Sequence, residues 1–308
     1  MKKKVALVLS GGGARGIAHI GVIEELEKQG FKITSIAGTS MGALVGGVYA
    51  LGKLGAYKEW ICTLDKFKVF RLVDFTFRGQ GLVKGDKLFN RLRGLIDDAA
   101  IEDLKIPYAA VAADIINKKE VVFTKGSVWD AIRASIAIPT ILTPVKTADG
   151  LLIDGGVINN LPIEHAKRSY GDILVVVDVN APIPFEKPVV SVNGSLNKQS
   201  VNGSLNKQSI YHEKIRGFYD YLHKLSPISH EEKFGYFDII NKTISLITYH
   251  TSQMALEKHS PDILISISHE CCGPYDFYKA EEVIEAGRRA AIKSLEAYGH
   301  KANSWHWF

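Results

Sequence analysis

Two glycine-framed turns hold the side chains best suited to chemistry. One is Gly38-Thr39-Ser40-Met41-Gly42, and the other is Asp154-Gly155-Gly156, whose aspartate lies 114 residues beyond Ser40. A third glycine-rich turn, Gly11-Gly12-Gly13-Ala14-Arg15-Gly16, precedes both. A serine hydroxyl attacks an ester carbonyl once a base takes its proton, and the oxyanion that forms needs N–H donors around it. The three turns offer a nucleophile, a carboxylate and unhindered backbone N–H groups, which is the minimum equipment of a serine acyl hydrolase.

Each piece has a plainer alternative. A G-x-S-x-G match is common by chance, but here strand-like residues come before Gly38 and a helical stretch follows Ser40. In that context Gly38 and Gly42 relieve the crowding of an elbow that holds the hydroxyl out; the plainer role for Ser40 is to cap the following helix. The base is normally a histidine. His19 falls within the first helical stretch, His165 follows Pro162-Ile163-Glu164, and the other histidines all lie beyond residue 209 with no surrounding motif. Residue order leaves a histidine triad open. Asp154 is the better candidate, since it ends the apolar run Leu151-Leu152-Ile153 at a turn that can aim a carboxylate into a cleft, where burial raises its basicity. The plainer reading is a solvated Asp-Gly turn.

Gly11 to Gly16 also satisfies G-x-G-x-x-G after a strand and ahead of a helix. A dinucleotide site needs an acidic residue at the end of the second strand, and that strand ends Ile36-Ala37-Gly38-Thr39-Ser40 without one. No Gly-Lys-Ser/Thr closes the turn as in a phosphate-binding P-loop. What survives is a set of N–H groups suited to an oxyanion, with Arg15 either bracing the loop or adding positive charge.

The elements needed to position these turns alternate through the first 180 residues. Val5 to Leu9 and Ile33 to Ala37 read as strands, Ile17, Ile20, Ile23 and Leu26 recur at helical spacing, and Met41 to Leu51 is a helix of small residues. Lys87 to Ile96 looks helical, Tyr108 to Ile115 and Glu120 to Phe123 look like strands, and Ile173 to Val179 is an apolar run typical of a strand covered on both faces. The pattern predicts an α/β fold with a mostly parallel sheet between helical layers. Later segments predict helices over Glu213 to Leu225, Phe234 to Lys258 and Lys279 to Ala297, with a last strand over Ile263 to Ile267 completing the same sheet. The chain thus reads as one domain spanning residues 1–308. Within it, residues 186–209 form an expected disordered surface insertion, because Val192 to Ser200 repeats unchanged as Val201 to Ser209 and is rich in Asn, Ser and Gly.

Composition narrows the partners. With 46% hydrophobic and 23% charged residues, the 308-residue chain can bury a large core. The net charge of +5 is spread without an arginine-rich run or aromatic RNA-binding signature, so nucleic acid is not an expected partner, while weak attraction to anionic membranes stays open. Cys62, Cys271 and Cys272 suggest a reducing, cytoplasmic setting. Lys2-Lys3-Lys4 and Val5 to Leu9 mimic a signal peptide, but the apolar run stops after five residues, and no stretch reaches the length of a membrane span. Any membrane contact is therefore expected to be peripheral. Candidates for it are Phe67, Phe70, Phe75 and Phe77 among Lys66, Lys68, Arg71 and Arg78, a mix suited to a membrane-facing lid, and the terminal Trp305-His306-Trp307-Phe308; ordinary core packing and a docked tail are the alternatives. No Cys/His or carboxylate cluster has metal-ligand spacing, so neither metal nor cofactor is expected.

Four blocks together resemble the patatin-like phospholipase family, especially its bacterial branch related to the neuropathy target esterase catalytic domain. They are Gly11 to Gly21; Gly38 to Gly42; Ala134-Ser135-Ile136-Ala137-Ile138-Pro139 with Pro144-Val145; and Asp154-Gly155-Gly156 with Asn159 and Pro162. The resemblance implies a three-layer α/β/α fold, a Ser-Asp dyad without histidine carried by Ser40 and Asp154, and an oxyanion hole from the Gly11-Gly12-Gly13 loop. Leu142 departs from the family's usual phenylalanine and is expected to reshape the pocket wall. The implied activity is phospholipase A or lysophospholipase hydrolysis through an acyl-enzyme, with phospholipid or lysophospholipid as substrate. The alternatives are a lipid acyltransferase, in which an alcohol or thiol takes the acyl group, and a catalytically silent lipid-binding module.

Overall fold

The computed structural model describes residues 3–72, 85–139, 141–186, 217 and 236–304. Its centre is an eight-stranded mixed sheet in the order β5-β6-β3-β2-β1-β7-β8, with β4 also paired to β3. The strands are β1 (Lys3–Leu9), β2 (Phe31–Thr39), β3 (Tyr108–Asp114), β4 (Lys119–Phe123), β5 (Val145–Lys146), β6 (Leu151–Asp154), β7 (Ile173–Ala181) and β8 (Ile263–Ser268). β3, β2, β1, β7 and β8 run parallel; β4 and β6 are added antiparallel to β3 at one end, and β5 pairs antiparallel with β6 in turn.

The continuous apolar runs follow from two buried faces. Along β1, Val5, Leu7 and Leu9 enter the larger hydrophobic cluster while Ala6 and Val8 enter a smaller one on the other side. β7 does the same, with Val175, Val177 and Val179 on the first face and Leu174 and Val176 on the second. A strand whose side chains alternate between two dry layers has no use for polar positions. The first face is covered by α1 (Ala18–Lys28), α2 (Met41–Ala50) and α6 (Val128–Ser135), and by α8 (Ala280–Ser304), which lies along α1. The second is covered by Leu161, Ile163 and Ala166 and by Ala255 and Leu256 of α7 (Tyr236–His259).

Sequence periodicity does not bring out α3 (Leu54–Cys62), α4 (Lys66–Leu72), α6 or the short β5; α5 (Asp86–Arg93) begins one residue before the expected Lys87 to Ile96 stretch and ends three residues short of it. The glycine turn does not lead straight into α1 but through a 3₁₀ turn over Gly13–Ile17. The repeat, the Trp305 to Phe308 tail and nearly all of the helix expected over Glu213 to Leu225 lie outside the described residues. Among the described residues, no helix is long and apolar enough to cross a membrane, and all three cysteines are free.

Candidate active site

β3 brings the two chemical turns together. Its first half pairs with β2, placing Thr39 opposite Val111, and its second half pairs with β6, placing Asp154 opposite Ala112. The residue after Thr39 is Ser40, so nucleophile and carboxylate meet where β3 exchanges one neighbour for the other. The glycine turn follows β1, whose neighbours β2 and β7 lie on opposite sides. The carboxyl ends of strands at such a reversal open a crevice, and the Gly11 turn occupies it.

Ser40 sits between β2 and α2 with φ 54 and ψ −124, a conformation that costs a non-glycine residue about 1–3 kcal/mol and persists only when its surroundings impose it. Several groups do so. The Ser40 N–H donates to Ser135 Oγ at 2.8 Å, and Ser135 Oγ–H donates onward to the Val111 carbonyl at 2.6 Å. A side chain on Gly38 would lie 2.5 Å from the backbone of Gly42, and one on Gly42 would collide with the Leu9 carbonyl. The elbow therefore needs both glycines for close approach of chain to chain.

Ser40 Oγ–H donates to Asp154 Oδ2 at 2.5 Å, while Asp154 Oδ1 accepts the Gly156 N–H at 2.8 Å. Both residues are buried, at 3% and 7% exposure. Burial pushes the Asp154 carboxyl up from the ordinary 3.8 to about 6, against the opposing pull of its hydrogen bonds from Ser40 and Gly156. No histidine described here hydrogen-bonds to either group. His19 is buried and donates from Nε2 to the Ser10 carbonyl at 2.8 Å, and burial pushes its imidazole down to about 4, leaving it a neutral brace. His165 is paired instead with Glu120 at 3.0 Å.

The glycine turn faces this pair across a cavity of about 400 Å³. Gly11 spends its N–H on Asn160 Oδ1 at 3.1 Å and its carbonyl on Asn180 Nδ2 at 2.6 Å. Among the described residues the N–H groups of Gly12 and Gly13 have no hydrogen-bond partner, and Gly13 takes φ +59 with no room for a side chain beside the Pro274 carbonyl. Arg15 Nη2 donates to Asn180 Oδ1 at 2.8 Å, so the arginine braces the turn through Asn180. Its guanidinium is lowered from the ordinary value by burial, which Cys272, Cys271 and Asp178 oppose. Ile138, Pro139, Val157, Ile244 and Tyr249 give the cavity an apolar wall.

Residue patterns missed Asn160 and gave Ser135, though it stands in one of the four blocks, no role, because what both do lies wholly in tertiary contacts. Asn159, quoted for its motif, turns away from the cavity: its side chain donates to Glu120 at 2.8 Å, and its carbonyl accepts from Thr39 Oγ1 at 2.7 Å. Leu142 does not line the cavity wall; it packs in the larger hydrophobic cluster, where an apolar exchange changes core shape. Phe67 is 40% exposed on α4 with its ring 5.5 Å from the Arg71 guanidinium, and Phe70 is half-buried; neither lines the cavity. Phe75 and Phe77 lie outside the described residues.

Comparison with known proteins finds relatives along most of the sequence. An uncharacterized NTE family protein of Mycobacterium tuberculosis is 33% identical over 331 aligned residues, covering 96% of this chain and 92% of the relative. Lysophospholipase nte1 of Emericella nidulans is 33% identical over 184 residues, 58% of this chain but only 12% of that longer protein. Among solved structures, VipD from Legionella pneumophila is a distant likeness, with TM-score 0.45 and 15% identity over 96% of this chain and 67% of its own. Residues 7–167, more than half of the sequence, match the family model described as patatin-like phospholipase, and with the near full-length mycobacterial likeness this means that the chain belongs to the patatin-like phospholipase family.

Proposed function

We propose that the protein is a serine acyl-ester hydrolase of lysophospholipid or phospholipid, working through a Ser40-Asp154 dyad. The family supports lipid hydrolysis in general. The observation that carries the finer reading is the 2.5 Å contact of Ser40 Oγ with Asp154 Oδ2, opposite two glycine N–H groups on the same cavity that have no hydrogen-bond partner among the described residues. Asp154 takes the hydroxyl proton as Ser40 Oγ bonds to the ester carbonyl carbon, and the N–H groups of Gly12 and Gly13 hold the oxyanion. Collapse of the tetrahedral intermediate breaks the ester bond, and the proton passes from Asp154 to the leaving alcohol. Water then repeats the sequence on the acyl-enzyme and releases the fatty acid.

A carboxyl held near 6 is deprotonated at neutral pH yet basic enough to accept a proton in the transition state, which is the compromise general-base catalysis demands. A cavity of about 400 Å³ lies at the lower end of the range for ligand sites and favours a single acyl chain, hence a lysophospholipid. Placement of all eight strands in one sheet supports a single catalytic domain. Peripheral contact with a membrane belongs to the same reading.

Incubation with a fluorophosphonate, followed by peptide mass analysis, tests it. Labelling of Ser40, with release of free fatty acid from lysophosphatidylcholine, is the expected result. Labelling without turnover by water, but with acyl transfer to an added alcohol, would establish the acyltransferase alternative. No labelling would leave a silent binding module.

A further inference from the structure

A cluster outside the dyad brings together ligand types that residue spacing does not reveal. Glu120 on β4, and Glu164 and His165 on a 3₁₀ turn, place one donor atom each within 4.8 Å of one another. His165 Nε2 is 3.0 Å from Glu120 Oε1. From a third element, the C-terminal end of α7, His259 Nε2 comes within 3.8 Å of Glu164 Oε2. Asn159 Nδ2 sits between the two carboxylates, donating to Glu120 at 2.8 Å and Glu164 at 3.2 Å. Two members of the cluster, Glu164 and His259, also line an open depression of about 540 Å³ together with Asn159 and Lys258.

We propose that Glu120, Glu164, His165 and His259 form a zinc site that fastens the end of α7 to the turn following Asp154. Two imidazole nitrogens with two carboxylate oxygens are a donor set for zinc, whereas calcium and magnesium favour shells built of oxygen. Ligand atoms at ordinary zinc distances stand about 3.3 Å apart along a tetrahedral edge. The donors of Glu120, Glu164 and His165 already lie within 4.8 Å of one another, and His259, 3.8 Å from Glu164, joins them as the fourth ligand by rotation of its own half-buried side chain and of the exposed Glu164. Each imidazole binds through Nε2 once its proton rests on Nδ1 or has left to solvent. The turn so fastened lies four residues beyond Asn159, whose carbonyl accepts from Thr39, the residue before Ser40, and the helix is the one that lends Ile244 and Tyr249 to the cavity.

The test is equilibrium dialysis of the full chain against zinc chloride, with bound metal counted by mass spectrometry. About one equivalent per chain is expected, weakened on the order of tenfold or more in His165→Ala and in Glu120→Gln, and retained in a Cys271→Ser/Cys272→Ser double variant. Failure of the wild-type chain to bind, or binding unaffected by both cluster substitutions, overturns the proposal. Should the cluster variants not fold, cobalt spectra of the wild-type chain decide. Visible bands of a nitrogen and oxygen site without thiolate charge transfer support it, and a thiolate band assigns the metal to the cysteines and refutes it.

Discussion

Asp154→Asn should make the protein more stable at neutral pH while abolishing its activity. The folded protein holds this carboxyl at about 6 against an ordinary 3.8, so the native state binds the proton more tightly than the unfolded chain. The stability linked to that proton is present in full below 3.8 and is lost as pH rises through about 6. The gap of about 2 pH units, at 1.36 kcal/mol for each, makes ionised Asp154 cost about 3 kcal/mol at pH 8. Asparagine keeps the shape, accepts the Gly156 N–H and has no charge to desolvate. Urea denaturation of both proteins should therefore show nearly equal stabilities near pH 4 and an advantage for the variant that grows to about 3 kcal/mol by pH 8. In the wild-type protein, kcat/KM for a short p-nitrophenyl ester should rise through an acid limb near the same pH of about 6. A stability difference that does not change with pH would refute the desolvation argument, and an acid limb absent near 6 would remove Asp154 as the base.

Ser40→Ala should lower turnover of the same ester by several kcal/mol of barrier with the circular dichroism unchanged, and adding Asp154→Asn should cost almost nothing more, since the two act as one unit. Ser135→Ala strips the Ser40 N–H of its acceptor and the Val111 carbonyl of its donor; a loss of about 1–3 kcal/mol in stability is expected. In that variant kcat should fall more than KM rises, as the elbow loosens. Asn160→Ala leaves the Gly11 N–H unpaired and frees the oxyanion turn, so kcat should drop on the order of tenfold to a hundredfold; unchanged kcat would mean that Asn180 alone suffices to hold the turn.

How far the sequence reaches depends on what kind of interaction makes each feature. The central strands announce themselves because both faces are dry, so Val5 to Leu9 and Ile173 to Val179 cannot be mistaken for solvated segments. α6 left a signal that periodicity passes over: Ser127 caps it by accepting the Asp130 N–H at 3.0 Å, and Ser-Val-Trp-Asp is a short form of the capping box. α3 carries Leu54, Tyr57 and Ile61 on one buried stripe, too few positions to stand out in nine residues. In the candidate site, Ser40 and Asp154 are legible because each needs glycines around it, and glycines are visible in a sequence. Asn160, Ser135 and the cluster of Glu120, Glu164 and His165 are not. Their partners lie 149, 95 and 45 residues away, at distances set by the sheet.

The exchange of neighbours along β3 also governs when the chain can do chemistry. On the proposed dyad, a chain that has emerged only as far as residue 150 carries Ser40 with no base, because β6 has not yet been laid beside Ala112. The glycine turn is finished later still, by Asn180 holding the Gly11 carbonyl and by the Pro274 carbonyl accepting the Ala14 N–H. Groups from the beginning, middle and end of the chain must all arrive, and contacts so distant in sequence form late in folding. A nascent chain, a proteolytic fragment or a locally opened molecule is thus chemically mute. For a protein whose proposed substrate is the material of membranes, topology itself acts as the safety catch.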